Sequence, residues 1–157
     1  FHMSSTDAVK RKLKPVLNKI KEEHLSFKKD VKKIHKSLLK EKKKSIQVIA
    51  VEPEDSAVIS GGEPGSHSIQ GIGAGFIPKN LNLSVIDKVL PISNTSAFKF
   101  SKALGKYEGI AGGISSGAAL AAAVEIHEDK KMNKKNSIII IPSFAERYLS
   151  TQLFNEF

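Results

Sequence analysis

The sequence predicts an α/β fold: a mostly parallel sheet with flanking helices, preceded by a basic helical N-terminal segment. Three observations carry this. Short β-branched runs, Ile46-Gln47-Val48-Ile49-Ala50-Val51 and Ser137 to Ile141, have the length and continuous apolarity of strands buried on both faces. Stretches with helix caps and Ala-rich composition alternate with such runs, as they do where helices join parallel strands. The first 44 residues instead place apolar residues three and four apart among many lysines. The natural division is therefore a basic helical segment over 1–44 and an α/β domain over 45–157.

Taken in order, Ser4-Ser5-Thr6-Asp7 is a helix-capping cluster, followed by a stripe from Val9, Leu13, Val16, Leu17 and Ile20 to Leu38 and Leu39. Helices are expected over about 8–24 and 27–43, with the turn at His24-Leu25-Ser26-Phe27 and with Pro15 either near a first turn or at a kink. The Ile46–Val51 strand ends at Glu52-Pro53, and the Gly-, Ser- and Pro-rich stretch from Ser60 to Gly75 must be a loop. Lys88 to Ile92 reads as a strand, and Asn94-Thr95-Ser96 caps a helix to about Lys106. Glu108 to Gly112 is a short strand or turn. Ser115-Ser116-Gly117 opens an Ala-rich helix to about Asp129, followed by a polar loop over 130–136. Ser137 to Ile141, with four consecutive Ile, is the clearest buried strand, and Ala145 to Phe157 reads as a final helix.

Composition excludes several chemistries. The 157 residues contain no Cys, which removes disulfides, thiolate metal sites and Cys nucleophiles. The five His show no metal-ligand spacing, so no metal site is expected. No apolar run is long enough to span a bilayer, and no apolar stretch follows Phe1-His2-Met3 as it would in a signal peptide. The net charge of +9 is concentrated in residues 8–44. That raises the question of a nucleic acid or another anionic surface as partner, although lysines filling the solvent face of a helix are the preferred reading. Apart from Phe27 no aromatic residue is interleaved with these lysines, which argues against single-strand recognition.

Three places offer chemistry. Gly71-Ile72-Gly73-Ala74-Gly75 is not the dinucleotide fingerprint, but it gives a backbone able to approach a ligand or another segment closely. Gly113-Ile114-Ser115-Ser116-Gly117 sets two hydroxyls at a helix start, where free N–H groups suit an anion or the hydroxyl caps the helix. Pro142-Ser143 follows a predicted strand directly. Its hydroxyl suits a ring nitrogen or, with Glu146 three residues on, a capping box for the last helix. Composition and spacing lead no further than a small α/β domain with an anion site at strand ends.

The run from Gly61 to Pro78, Gly-Gly-Glu-Pro-Gly-Ser-His-Ser-Ile-Gln-Gly-Ile-Gly-Ala-Gly-Phe-Ile-Pro, resembles the cysteine synthase (O-acetylserine sulfhydrylase) loop GG-x-PG-x-H-x-IQGIGAGF-IP. Val48 to Pro53, Glu108-Gly109 with Gly113 to Ala119, and Ile140 to Thr151 resemble, in the same order, three further segments of that family. The resemblance covers about 45–157. It implies part of the type II pyridoxal-phosphate enzyme fold and a cytoplasmic protein. In that family pyridoxal phosphate supports the formation of cysteine from O-acetylserine and sulfide. It also implies roles: Ser143 on the pyridine nitrogen of the cofactor, Gly71, Ile72 and Gly73 beside cofactor and substrate, and His67 near the place where serine acetyltransferase docks its tail.

The departures count equally. The lysine that carries the cofactor and the Thr-Ser-Gly-Asn-type loop for the substrate carboxylate belong to a family segment with no counterpart here, so no catalytic residue is assigned. Counting back from Leu39-Lys40-Glu41-Lys42, which resembles the family's LKEK, the GTGGT phosphate loop falls on Phe27-Lys28-Lys29-Asp30-Val31, which has no Gly. Bulky side chains there cannot copy a backbone cup for phosphate. Ala145 stands where the family has Gly, which would strain the turn if that position needs positive φ. The expectation is a truncated or degenerate cysteine synthase-like protein, inactive alone and serving as a binding or regulatory module. Two alternatives stay open: a fragment completed in trans by another chain, such as a cysteine synthase subunit, and a scaffold acting through its basic helices. Apolar surface left without the missing half predicts a homo-oligomer.

Overall fold

A computed structural model describes residues 39–128, 135–151 and 153–154. The helices expected over 8–24 and through most of 27–43, their turn and residues 27–31 lie outside the described residues. The chain divides into two compact units, 1–46 and 47–157. In the first, residues 39–42 are helical and the Lys43 N–H returns to the Leu39 carbonyl at 2.9 Å.

The second unit is built on two parallel strands, β1 (Ile49–Pro53) and β2 (Lys88–Ile92), paired from Ile49↔Lys88 to Pro53↔Ile92. β1 starts three residues later than Ile46 because Asp87 intercepts the chain before it. The Asp87 carboxylate takes the Val48 N–H at 2.7 Å, and the Asp87 N–H donates to the Val48 carbonyl at 2.8 Å. The strand then runs on through Glu52 and Pro53. A proline is tolerated at a strand end, where its missing donor leaves no gap in the ladder. No helix joins the two strands. The crossover is a long loop holding only two single 3-10 turns, Glu54–Ser56 and Leu83–Val85.

Helix α1 (Asn94–Glu108) is capped by Ser93 rather than by the three residues after it: the Ser93 hydroxyl accepts the Ser96 N–H at 3.2 Å. It ends on Gly109, whose φ of 68° is the left-handed C-cap conformation that glycine adopts without penalty. Helix α2 (Ile114–Glu128) buries Ala118, Ala121 and Ala122. At Gly117 the two helices come so close that a Cβ would strike the Ala97 carbonyl and the Ser101 backbone. Small residues there let α1 and α2 pack backbone to backbone. The core joins Leu90 and Ile92 of β2 to Ala97, Ile114 and the alanines, and is closed by Ile69 from the long loop and by Tyr148 and Leu153.

Two expectations fail. Ser137 to Ile141 has no regular secondary structure and pairs with no strand among the described residues, and Ile138 and Ile140 are 94% and 72% exposed. An all-apolar run becomes a buried strand only between neighbours that take its N–H and C=O groups, and among the described residues none lies beside it. Where a final helix is expected, the described residues form one 3-10 turn, Ala145–Tyr148. The Tyr148 carbonyl, which a continuing α-helix would commit four residues on, accepts instead from the Thr151 N–H at 2.9 Å and the Thr151 hydroxyl at 2.6 Å. Between Glu108 and Gly112 lies a turn, after which Gly112 bridges antiparallel to Phe144.

Candidate functional site

Three hydroxyls meet where the start of α2 faces the segment after Pro142. Ser115 Oγ lies 2.7 Å from Ser143 Oγ, and Ser116 Oγ lies 2.8 Å from the Ser143 carbonyl and 3.2 Å from its N–H. Ser115 and Ser116 are buried, Ser143 half-buried. Counting donors orders the network. Ser116 gives its proton to the Ser143 carbonyl and accepts the Ser143 N–H, while Ser115 Oγ and Ser143 Oγ share a hydrogen bond in which either can donate. Ser143 Oγ also lies 3.2 Å from Ser116 Oγ, so its proton can stay within the network or, when Ser115 donates to it, turn outward to an acceptor. Gly113 completes the join: its N–H donates to the Ser143 carbonyl at 2.9 Å, and a Cβ on it would collide with Ser143 Oγ and the Tyr148 ring.

The capping box proposed for Ser143 and Glu146 does not form. The 3-10 turn starts after Phe144 without a side-chain cap, because the Ser143 hydroxyl is committed to Ser115 and Ser116. Nor do Ser115 and Ser116 serve as an anion cradle at the helix start, since both turn toward Ser143. Ala145 is unstrained: no non-glycine described residue has positive φ, and the Ala145 N–H bonds the Ala111 carbonyl at 2.8 Å.

The long loop reaches the same place. The position of a Cβ on Gly71 is 3.8 Å from Ser115 Oγ, so this end of the glycine run borders the hydroxyl network. Ile72 packs against the core, and Gly73 sits at φ 66° against Pro53 and His67. His67 is a brace within the loop. Its Nδ1 accepts the Ile69 N–H at 3.2 Å, which leaves the proton on Nε2, 2.9 Å from the Gly73 carbonyl. Gly71, Ser115 and Ser143 are thus brought together, while His67 and Gly73 form a second small group beside Pro53.

Two supporting residues escaped the sequence reading. Glu52, 2% exposed, receives the Ile59 N–H at 2.7 Å, the Ser60 N–H at 3.0 Å and the Ser60 hydroxyl at 2.5 Å, pinning the start of the loop to β1. Asn94 accepts the Ser68 N–H at 2.8 Å and donates to Asp55 at 2.7 Å, tying the middle of the loop to α1. The available signal was a carboxylate set inside an apolar run, which must find donors if it is buried.

A family profile described as pyridoxal-phosphate dependent enzyme matches residues 36–143. The cysteine synthase of Buchnera aphidicola is 54% identical over 114 residues, covering 69% of this chain and 36% of that protein. The chain belongs to the cysteine synthase family of pyridoxal-phosphate enzymes. Cysteine synthase A of Escherichia coli is likewise 54% identical, over 112 residues that make up 68% of this chain and 35% of the relative. Among solved structures, the cysteine synthase of Entamoeba histolytica superposes with a TM-score of 0.72 at 51% identity, covering 74% of this chain and 34% of that one. The O-acetylserine dependent cystathionine beta-synthase of Helicobacter pylori superposes at 0.62 with 38% identity, over 76% of this chain and 38% of that one. The chain spans about a third of the length of the curated relatives it matches.

The family brings pyridoxal phosphate into question, and the residues fit it at one end. When Ser115 donates to it, the Ser143 hydroxyl has a proton free for an acceptor such as a neutral pyridine nitrogen. For the phosphate end, the sequence position reached by counting back from Leu39, Phe27-Lys28-Lys29-Asp30-Val31, lies outside the described residues and contains cations but no glycine. Among the described residues no helix is long and apolar enough to cross a membrane.

Proposed function

We propose that these 157 residues by themselves are a non-catalytic cysteine synthase-like module that keeps one wall of a cofactor site and works through binding. The observation that carries this reading is the contrast between the two ends of that site. The hydroxyl network at Ser143 is intact, with Gly71 beside it. Residues 27–31, where counting back from Leu39-Lys40-Glu41-Lys42 puts the family's phosphate loop, have no glycine. The cofactor, when bound in the family, supplies an electron sink for chemistry at the substrate's α-carbon. Here Ser143 would orient the ring nitrogen, and Gly71 would let the ring lie close to the loop backbone. Ile72, Gly73 and His67 shape that loop, and the His67 side of it is the surface on which a serine acetyltransferase tail is expected to act.

The test is titration of the chain with pyridoxal phosphate, followed by absorbance and equilibrium dialysis, with Ser143→Ala in parallel. The reading expects no saturable uptake beyond that of the variant and no cysteine formed from O-acetylserine and sulfide. Saturable uptake that Ser143→Ala abolishes would show that the phosphate end survives in another form and would sink it.

A second reading is favoured by one feature. Ile138, Ile140 and Phe144 are exposed immediately around Ser143, as a surface awaiting cover would be. Another polypeptide, or further residues of a longer one, would then supply the lysine and the phosphate loop in trans. Mixing the chain with a catalytically silent cysteine synthase subunit tests this: recovered activity supports completion in trans, and unchanged background supports the module.

A further inference from the structure

We infer that the cavity under helix α1 is a binding site for a small anion with an apolar body, such as an aliphatic carboxylate. It rests on residues outside the hydroxyl network at Ser143 and stands whether or not pyridoxal phosphate binds. The cavity measures about 690 Å³, within the range of small-molecule sites. Its walls are apolar: Ala103, Tyr107, Ala111 and Leu153 line it. Its rim is cationic. Lys99, Lys102 and Lys106 line the same cavity and recur at helical spacing along one side of α1.

Two of these charges, at Lys99 and Lys106, are not spent on carboxylates next to them. Among the described residues Lys99 and Lys106 form no ion pair, and their ammonium groups lie instead over the neighbouring Phe100 and Tyr107 rings at 5.8 and 5.2 Å. A cation held over a ring keeps its charge open to an anion while losing part of its hydration. An apolar chain would fill the space between Ala103, Ala111 and Leu153, and its head group would meet the lysines. Neither a bare anion nor an apolar molecule without charge would satisfy both halves of the lining. The cavity floor also touches the cofactor wall from behind. Ala111 and Ala145 line it, and the bond between them at 2.8 Å lies beside the one from Gly113 to Ser143 at 2.9 Å.

The experiment is a titration of the full chain with octanoate, octanol and acetate, read by calorimetry and by amide shifts in heteronuclear spectra. Octanoate is expected to saturate, with shifts centred on residues 99–112 and 153–154, and to bind at least several-fold more tightly than octanol or acetate. Lys99→Glu with Lys106→Glu is expected to weaken octanoate by roughly tenfold while leaving octanol unchanged. Ala103→Phe, which fills the cavity and leaves the charges in place, is expected to abolish saturation, with circular dichroism confirming that each variant is folded. Equal binding of octanol, shifts centred on Ile138 to Phe144, or no saturation by octanoate would each overturn the inference.

Discussion

Two short, mostly apolar runs in this molecule lie in opposite environments. Ile49–Pro53 is paired along its length with Lys88–Ile92, and its Glu52 is buried with three donors around its carboxylate. Ser137 to Ile141 is richer in Ile, yet it pairs with nothing among the described residues and turns Ile138 and Ile140 outward. The difference lies in neighbours. β1 finds β2 through a defined register, with helix α2 packed against both strands. The Ile run has only the edge of α2 nearby, where Ile139, Leu120 and Val124 line a shallow groove. Apolar side chains favour burial wherever they are, but backbone N–H and C=O groups need partners at fixed spacing, and these come only from another strand.

The largest test of this contrast compares one truncation in each region. Leu90→Ala in β2, at a position 4% exposed, is expected to cost about 2–5 kcal/mol in urea unfolding, as buried Leu truncations do. Ile140→Ala is expected to stay within about 0.5 kcal/mol of the parent, as exposed substitutions do. Equal costs would mean that the Ile run is buried in solution and that the contrast is false. Next in size, Gly117→Val should destabilise by about 1–3 kcal/mol, because its side chain must displace the Ala97 carbonyl or the Ser101 backbone. A neutral result would show that the α1–α2 contact gives way easily. Ser101→Ala removes the hydroxyl that bonds the Gly112 carbonyl at 2.8 Å and should cost about 1 kcal/mol.

The smallest expected effect on stability accompanies a visible effect on assembly. Ile138→Lys with Ile140→Lys should leave the unfolding free energy within about 0.5 kcal/mol of the parent. The pair should also lower the mass seen by light scattering if the exposed run drives self-association. A monomeric parent chain would remove the proposed homo-oligomer, and an unchanged larger mass in the variant would move its interface elsewhere.

Much of the fold was legible because it rests on local chemistry. β2 falls on Lys88–Ile92 as the apolar run predicts, and α2 starts within a residue of the Ser115-Ser116 signal. α1 begins at Asn94, although the capping oxygen comes from Ser93. Asn94 turns to Ser68 and Asp55 instead, a choice made by the loop that folds over it and so invisible in the helix's own sequence. The site was legible as residue types at strand and helix ends but not as bonds. Ser143 with Glu146 reads as a capping box until Ser115 and Ser116, 28 and 27 residues earlier, arrive with hydroxyls of their own.

The sequence by itself determined the family, the α/β alternation, the positions of β2 and both helices, and the group of small and hydroxyl residues from which the site is made. Motif order and local propensity are properties of neighbouring residues, so they survive in a one-dimensional reading. Only the tertiary structure decided that Ser137 to Ile141 is left outside the sheet and that the described residues after Phe144 form a single 3-10 turn. It also decided that the three serines share their protons. Each of these depends on whether a particular donor or acceptor, distant along the chain, comes within hydrogen-bonding reach.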